Sequence, residues 1–164
     1  MPRVSAHDIQ AVTEPDLPDL LPLMRAYCEF YEVAPSDDDL LAMARVLIAD
    51  PEREGLQLLA RDAEGRAVGF ATVFWTWTTL SAQRLGIMND LFVAPDDRGS
   101  GAADELIAAC AERCRVRGAT SLAWQTARDN HRAQAVYSRV GGERDDRWLD
   151  YSLEVSPGAT TPDS

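Results

Sequence analysis

The residues whose types and spacing could do chemistry lie between Asn89 and Gly142. The apolar run Leu91-Phe92-Val93 reads as a buried strand and leads through Ala94-Pro95 into Arg98-Gly99-Ser100-Gly101-Ala102-Ala103. A strand that feeds a small-residue loop and then a helix gathers unpaired N–H groups at the positive end of the helix dipole. Such a point holds anions, phosphates above all. Gly99, Gly101 and Ala103 let phosphate oxygens approach the backbone, and Arg98 can add a charge-assisted contact. The glycines taken alone also fit an ordinary turn. A dinucleotide-binding reading is poorer, because Asp104 stands where the Gly-x-Gly-x-x-Gly fingerprint needs its third small residue.

Several other chemistries are excluded by what the chain lacks. All 16 basic residues are arginine, so neither a Walker-type phosphate loop nor Schiff-base chemistry is available. No serine or cysteine has an evident histidine partner in the sequence. Three cysteines cannot form a fully paired framework, and Cys110 and Cys114 share a helix face with Leu106, where they read as small core residues. Neither His7 nor His131 has ligand spacing to a cysteine, so no metal site is expected. A net charge of −11 argues against nucleic acid, whose phosphates need a basic surface. It suits a cationic substrate, although solubility alone also explains it. No run approaches the ~20 apolar residues that span a bilayer, and the first residues lack a secretory pattern. A cytoplasmic location is expected.

The elements that must position these groups follow from periodicity. Ile9–Val12 reads as a first strand and residues 17–31 as a helix with Pro15 near its start. Ser36 caps a second helix that opens on three aspartates and stops at Asp50-Pro51. Strands are expected over 56–61, 67–78 and 86–93, a helix over 101–117 ending at Gly118, and a strand over 121–126. A helix over 130–140 and two closing strands follow, and the alternation of Leu149, Tyr151 and Leu153 places one of them over 148–155. The expected order is βααβββαβαββ, a three-layer α/β domain with a mixed central sheet. One domain spans 1–155, and the Pro/Gly/Thr/Ser-rich residues 156–164 read as a disordered tail.

Two spaced motifs and this order resemble the GCN5-related N-acetyltransferase (GNAT) family over roughly residues 8–155. The signature Arg/Gln-x-x-Gly-x-Gly/Ala is met by Arg98 to Ala103. The second feature, Asn-x-x-Ala-x-x-x-Tyr followed by Gly, is met by Asn130, Ala133, Tyr137 and Gly141. The resemblance implies acetyl-CoA as acyl donor, its pyrophosphate on the amides of Arg98, Gly99, Ser100, Gly101, Ala102 and Ala103. Its pantetheine arm would pair with Leu91, Phe92 and Val93 like an added strand, and Asn130 would cap a helix and contact CoA. It further implies direct attack by a primary amine, with Tyr137 as general acid near the CoA sulfur. Asp90 is the candidate base, because Asn89 removes the neighbouring acid that the polyamine-acetylating branch often carries; a structural carboxylate explains Asp90 equally well.

The look is nearest to the histone and polyamine acetyltransferase branch. The resemblance puts the acceptor site among the first helices and the aromatic strands, with Tyr27, Tyr31, Glu32 and Trp75 as candidates. Aromatic and acidic groups together suit an ammonium, but core packing explains the aromatics too. Homodimers are common in the family, and nothing in the sequence locates an interface. The acids Asp96, Asp97, Asp104 and Glu105 are expected to weaken phosphate binding somewhat. A non-catalytic module that senses acyl-CoA or an amine is the competing reading.

Overall fold

Thr13 opens the helical half of the molecule. Its backbone N–H and hydroxyl both donate to the Asp16 carboxylate, at 2.9 and 2.8 Å, closing a short 3-10 turn over Glu14–Asp16. The computed structural model describes residues 5–155. Strand β1 (Asp8–Ala11) precedes that turn, and helix α1 (Leu17–Phe30) follows it. Helix α2 (Asp37–Ala49) is capped by the Ser36 hydroxyl, which accepts from Asp39 N at 3.1 Å. Strands β2 (Gly55–Arg61), β3 (Ala67–Thr78) and β4 (Gln83–Val93) come next, then α3 (Ala102–Val116), β5 (Leu122–Ala123) and α4 (His131–Arg139).

The sheet runs β1-β2-β3-β4-β5, antiparallel throughout except for the parallel β4–β5 pair. Helices α1 and α2 bury Leu20, Met24 and Ala44 with Phe70 and Phe92. Helix α3 buries Leu106, Ile107 and Cys110 with Val68, Val73 and Met88. These two clusters make the three expected layers. Cys110 and Cys114 are buried on α3 as small core residues. Among the described residues no helix is long and apolar enough to cross a membrane, and no group of metal-ligating side chains is present.

Two details of the sheet matter for the site. Thr72 faces Asp90 while Val73 faces Met88, so Asn89 is an extra residue on β4, a β-bulge. Strand β5 pairs only with Gly86 and Ile87, just before that bulge. From Met88 to Val93, β4 therefore pairs with β3 on one side only. A bulge bends its strand and ends pairing, which explains why the β4–β5 ladder stops there.

The chain end differs from expectation. No strand forms over 148–155, and the order among the described residues closes at α4. Leu149, Tyr151 and Leu153 are 71, 91 and 86% exposed. Alternation supplies one half of a strand; the other half is a neighbour with a free ladder, and the two-residue β5 offers very little. The expected tail, 156–164, lies outside the described residues.

Candidate active site

The open side of β4 and the loop after it form one wall of a cleft of about 750 Å³. Leu91, Phe92 and Val93 lie along this wall, followed by Arg98, Gly99 and Gly101. Gly99 (φ +81°) and Gly101 (φ +93°) both adopt left-handed conformations that L side chains rarely take. No atom would obstruct a Cβ at either position, so backbone conformation is what requires glycine there. Gly101 caps α3 and brings no side chain to its first amides. Ala102 and Ala103, at the start of α3, line the cleft as well.

The Arg98 side chain folds back along the wall. Its Nε donates to the Val93 carbonyl at 3.3 Å, and its guanidinium lies 5.9 Å from the centre of the Phe92 ring. Three of the four acids around the loop, Asp97, Asp104 and Glu105, are paired. Asp97 binds Arg66 at 2.6 Å, and Asp104 binds Arg139 at 2.5 Å. Glu105 accepts from the backbone of Ala6 and His7 and from the Ser5 hydroxyl. These partners blunt the repulsion that the run of acids would impose on an anion.

Helix α4 forms the facing wall. Asn130 caps it by accepting from Ala133 N at 3.2 Å. Tyr137 follows Ala133 at the i, i+4 spacing that stacks side chains on one helix face, and all three residues line the cleft. The Tyr137 ring packs 5.3 Å from that of Trp124. Burial first, and then the neighbouring Tyr31, push its phenol above the ordinary range, while the nearby Thr126 hydroxyl works the other way. The phenol therefore keeps its proton at neutral pH and can donate it.

Helix α1 supplies the cleft's aromatic end, with Tyr27, Phe30 and Tyr31. Tyr27 stacks edge-on against Tyr31, Phe70 and Phe92. Burial, and next the nearby Asp90 carboxylate, drive its phenol far above the usual value. Asp90 accepts from Asn89 Nδ2 at 3.1 Å. Asp90 thus sits on the bulged part of β4 near Tyr27, and it is not among the residues that line the cleft.

Not every candidate from the sequence comes together. Trp75 is outside the cleft: its indole donates to the Pro51 carbonyl at 2.9 Å, and its ring lies 5.8 Å from the Arg117 guanidinium. It lines a second hollow with Leu47 and Val116. Glu32 lies in the turn after α1 with φ +58°, exposed and off the cleft wall. The Ser100 hydroxyl faces His7 Nε2 at 3.4 Å, so a serine does meet a histidine here, at the loop and 93 residues away in sequence. Arg132 and Arg139 also line the cleft, and Thr126 neighbours Tyr137. The i, i+3, i+4 spacing of 132, 133, 136 and 137 was the available signal for the first turn of α4.

Comparison with known proteins agrees with this layout. The model of the Acetyltransferase (GNAT) family matches residues 13–142. The chain is 32% identical over 148 residues to the uncharacterized N-acetyltransferase YhfO of Bacillus subtilis (strain 168), covering 90% of this chain and 97% of that protein. A solved structure of a probable acetyltransferase superposes with a TM-score of 0.80 at 28% identity, covering 92% of this chain and 99% of that one. The aminoglycoside N-acetyltransferase AAC(6')-Iy, in complex with CoA, shares the fold with a TM-score of 0.78 at 24% identity, covering 94% of this chain and 99% of that one. Matched over most of its length by the family model and over nine-tenths by a named N-acetyltransferase, the chain belongs to the GNAT acetyltransferase family.

Proposed function

We propose that this enzyme moves an acetyl group from acetyl-CoA to a primary amine on a small molecule or peptide, by direct attack within a ternary complex. The observation that carries the reading is the single cleft joining an unpaired strand edge, a glycine loop at a helix start and a protonated tyrosine. The strand edge from Leu91 to Val93 offers backbone groups to the two amides of a pantetheine arm. The amides of residues 98–103, at the positive end of α3, suit a diphosphate. The residues present therefore fit CoA, which supplies the activated thioester.

The amine nitrogen attacks the thioester carbonyl carbon and the C–S bond breaks. Sulfur leaves with the bonding pair and takes the proton of the Tyr137 hydroxyl. The nitrogen must shed its own protons, and Asp90, which neighbours Tyr27 of the aromatic end, accepts one directly or through water. Solvent then restores the phenol. Tyr27, Phe30 and Tyr31 present ring faces and edges to the acceptor end, where an ammonium gains from cation–π attraction.

Thiol release measured over a panel of amines, among them amino acids, polyamines, aminoglycosides and peptides, tests the reading. Turnover with one class supports transfer and names the acceptor. CoA binding with no turnover on any amine favours a sensor instead.

A further inference from the structure

The side chain of His7 is only 6% exposed and bridges two parts of the phosphate loop region. Its Nδ1 lies 3.1 Å from Glu105 Oε2 in the first turn of α3, and its Nε2 lies 3.4 Å from Ser100 Oγ. An ionised carboxylate only accepts, so Nδ1 carries a hydrogen and donates to Glu105. In the neutral ring Nε2 is then an acceptor, and the Ser100 hydroxyl must donate to it. The same Ser100 oxygen accepts from Ala102 N at 3.4 Å. The result is a directed chain, Ala102 N–H to Ser100 O–H to His7 to Glu105.

In that state two donors at the anion loop, the Ala102 amide and the Ser100 hydroxyl, are spent on each other and on His7. Both Ser100 contacts are long for hydrogen bonds, so the hydroxyl is held loosely and is readily redirected. A proton added at His7 Nε2 turns that nitrogen into a donor to Ser100 Oγ. The hydroxyl hydrogen must then point elsewhere, and the oxygen no longer needs the Ala102 amide. Glu105 stands on the other side of the ring to offset the new charge. Of the charged groups on the bordering elements, Asp8 bonds Gln10, Arg61 binds Asp16 and Asp19, Asp97 binds Arg66, and Asp104 binds Arg139.

We propose that His7 takes up a proton from solvent when a diphosphate settles on the loop, switching Ser100 from its histidine to the anion. His7 is thereby a positioning residue that acts through Ser100. The inference rests on the reading of residues 98–103 as the CoA phosphate site. It makes diphosphate affinity weaken as protons become scarcer, by up to about tenfold per pH unit at full coupling.

The test is calorimetry with 3′-dephospho-CoA, which lacks the phosphomonoester that itself titrates near neutrality. Titrations at one pH in buffers of different ionisation enthalpy give the protons taken up on binding. Wild type and His131→Gln are expected to take up a shared fraction of one proton, and His7→Gln and Ser100→Ala to take up none. Should His7→Gln fail to fold, Ser100→Ala, which removes one exposed hydroxyl, carries the comparison, together with nitrogen-15 shifts of the His7 ring with and without ligand. Equal uptake in all variants, or loss in His131→Gln instead, overturns the inference and leaves the site reading standing. No binding by the wild type overturns both.

Discussion

Asp90, on the bulged stretch of β4, stands near Tyr27 of α1, and its carboxylate helps to raise the Tyr27 phenol. That placement is compatible with a base and with a structural carboxylate, and pH separates the two. If Asp90 accepts the amine's proton, Asp90→Asn lowers kcat/KM at neutral pH by about 10²-fold or more. The deficit then shrinks as pH rises toward the amine's own pKa, where solvent delivers the neutral nucleophile. A deficit that is constant across pH assigns Asp90 to structure.

Tyr137→Phe removes the proposed acid while keeping the ring against Trp124. Turnover is expected to fall by about 10²-fold or more, with CoA affinity in calorimetry unchanged. The sign of the pH effect follows from the raised phenol: the acid form persists above the ordinary tyrosine range. Wild-type kcat should therefore show no fall from Tyr137 ionisation up to about pH 10. Thr126→Val removes the contact that favours ionisation and should move any basic limb further up.

Glu105 links the N-terminal segment to α3. Burial pushes its carboxyl up, but the bonds from Ala6, Ser5 and His7 outweigh it and hold the group below its ordinary value of 4.5. A carboxyl depressed by folding stabilises above its unfolded pKa, and that contribution disappears as pH falls through the folded value. Glu105→Gln should lower Tm at neutral pH, and the gap from wild type should close as the solution is acidified through the carboxylate range.

Gly86 lies where β4 still pairs with β5. A Cβ there would stand 2.5 Å from Cys114 Sγ and 3.2 Å from Trp75. Gly86→Ala should destabilise by about 1–3 kcal/mol in urea melts through overpacking. Adding Cys114→Ala should recover part of the loss, a coupling that a double-mutant cycle measures.

Much of this arrangement was legible in the residue pattern. Apolar spacing located the strands and helices, and β3 over 67–78 was read to the residue, because each signal is local. The glycine loop was legible because backbone conformation demands particular residue types. The Asn89 bulge was not, since two residues facing one leaves no mark on a single strand's pattern. His7 reaching Ser100 joins segments 93 residues apart in the chain, invisible to spacing. Trp75 misled because an aromatic on a strand serves packing and recognition alike. Residues 148–155 misled because alternation shows what a strand could bury and not whether a partner exists.

The most direct measurement is a crystal structure of the chain with CoA. The account predicts the diphosphate on the amides of residues 98–103, the pantetheine along Leu91–Val93, and the sulfur within hydrogen-bonding reach of the Tyr137 hydroxyl. A diphosphate bound elsewhere, or a sulfur far from Tyr137 with the loop filled by a side chain, would contradict it.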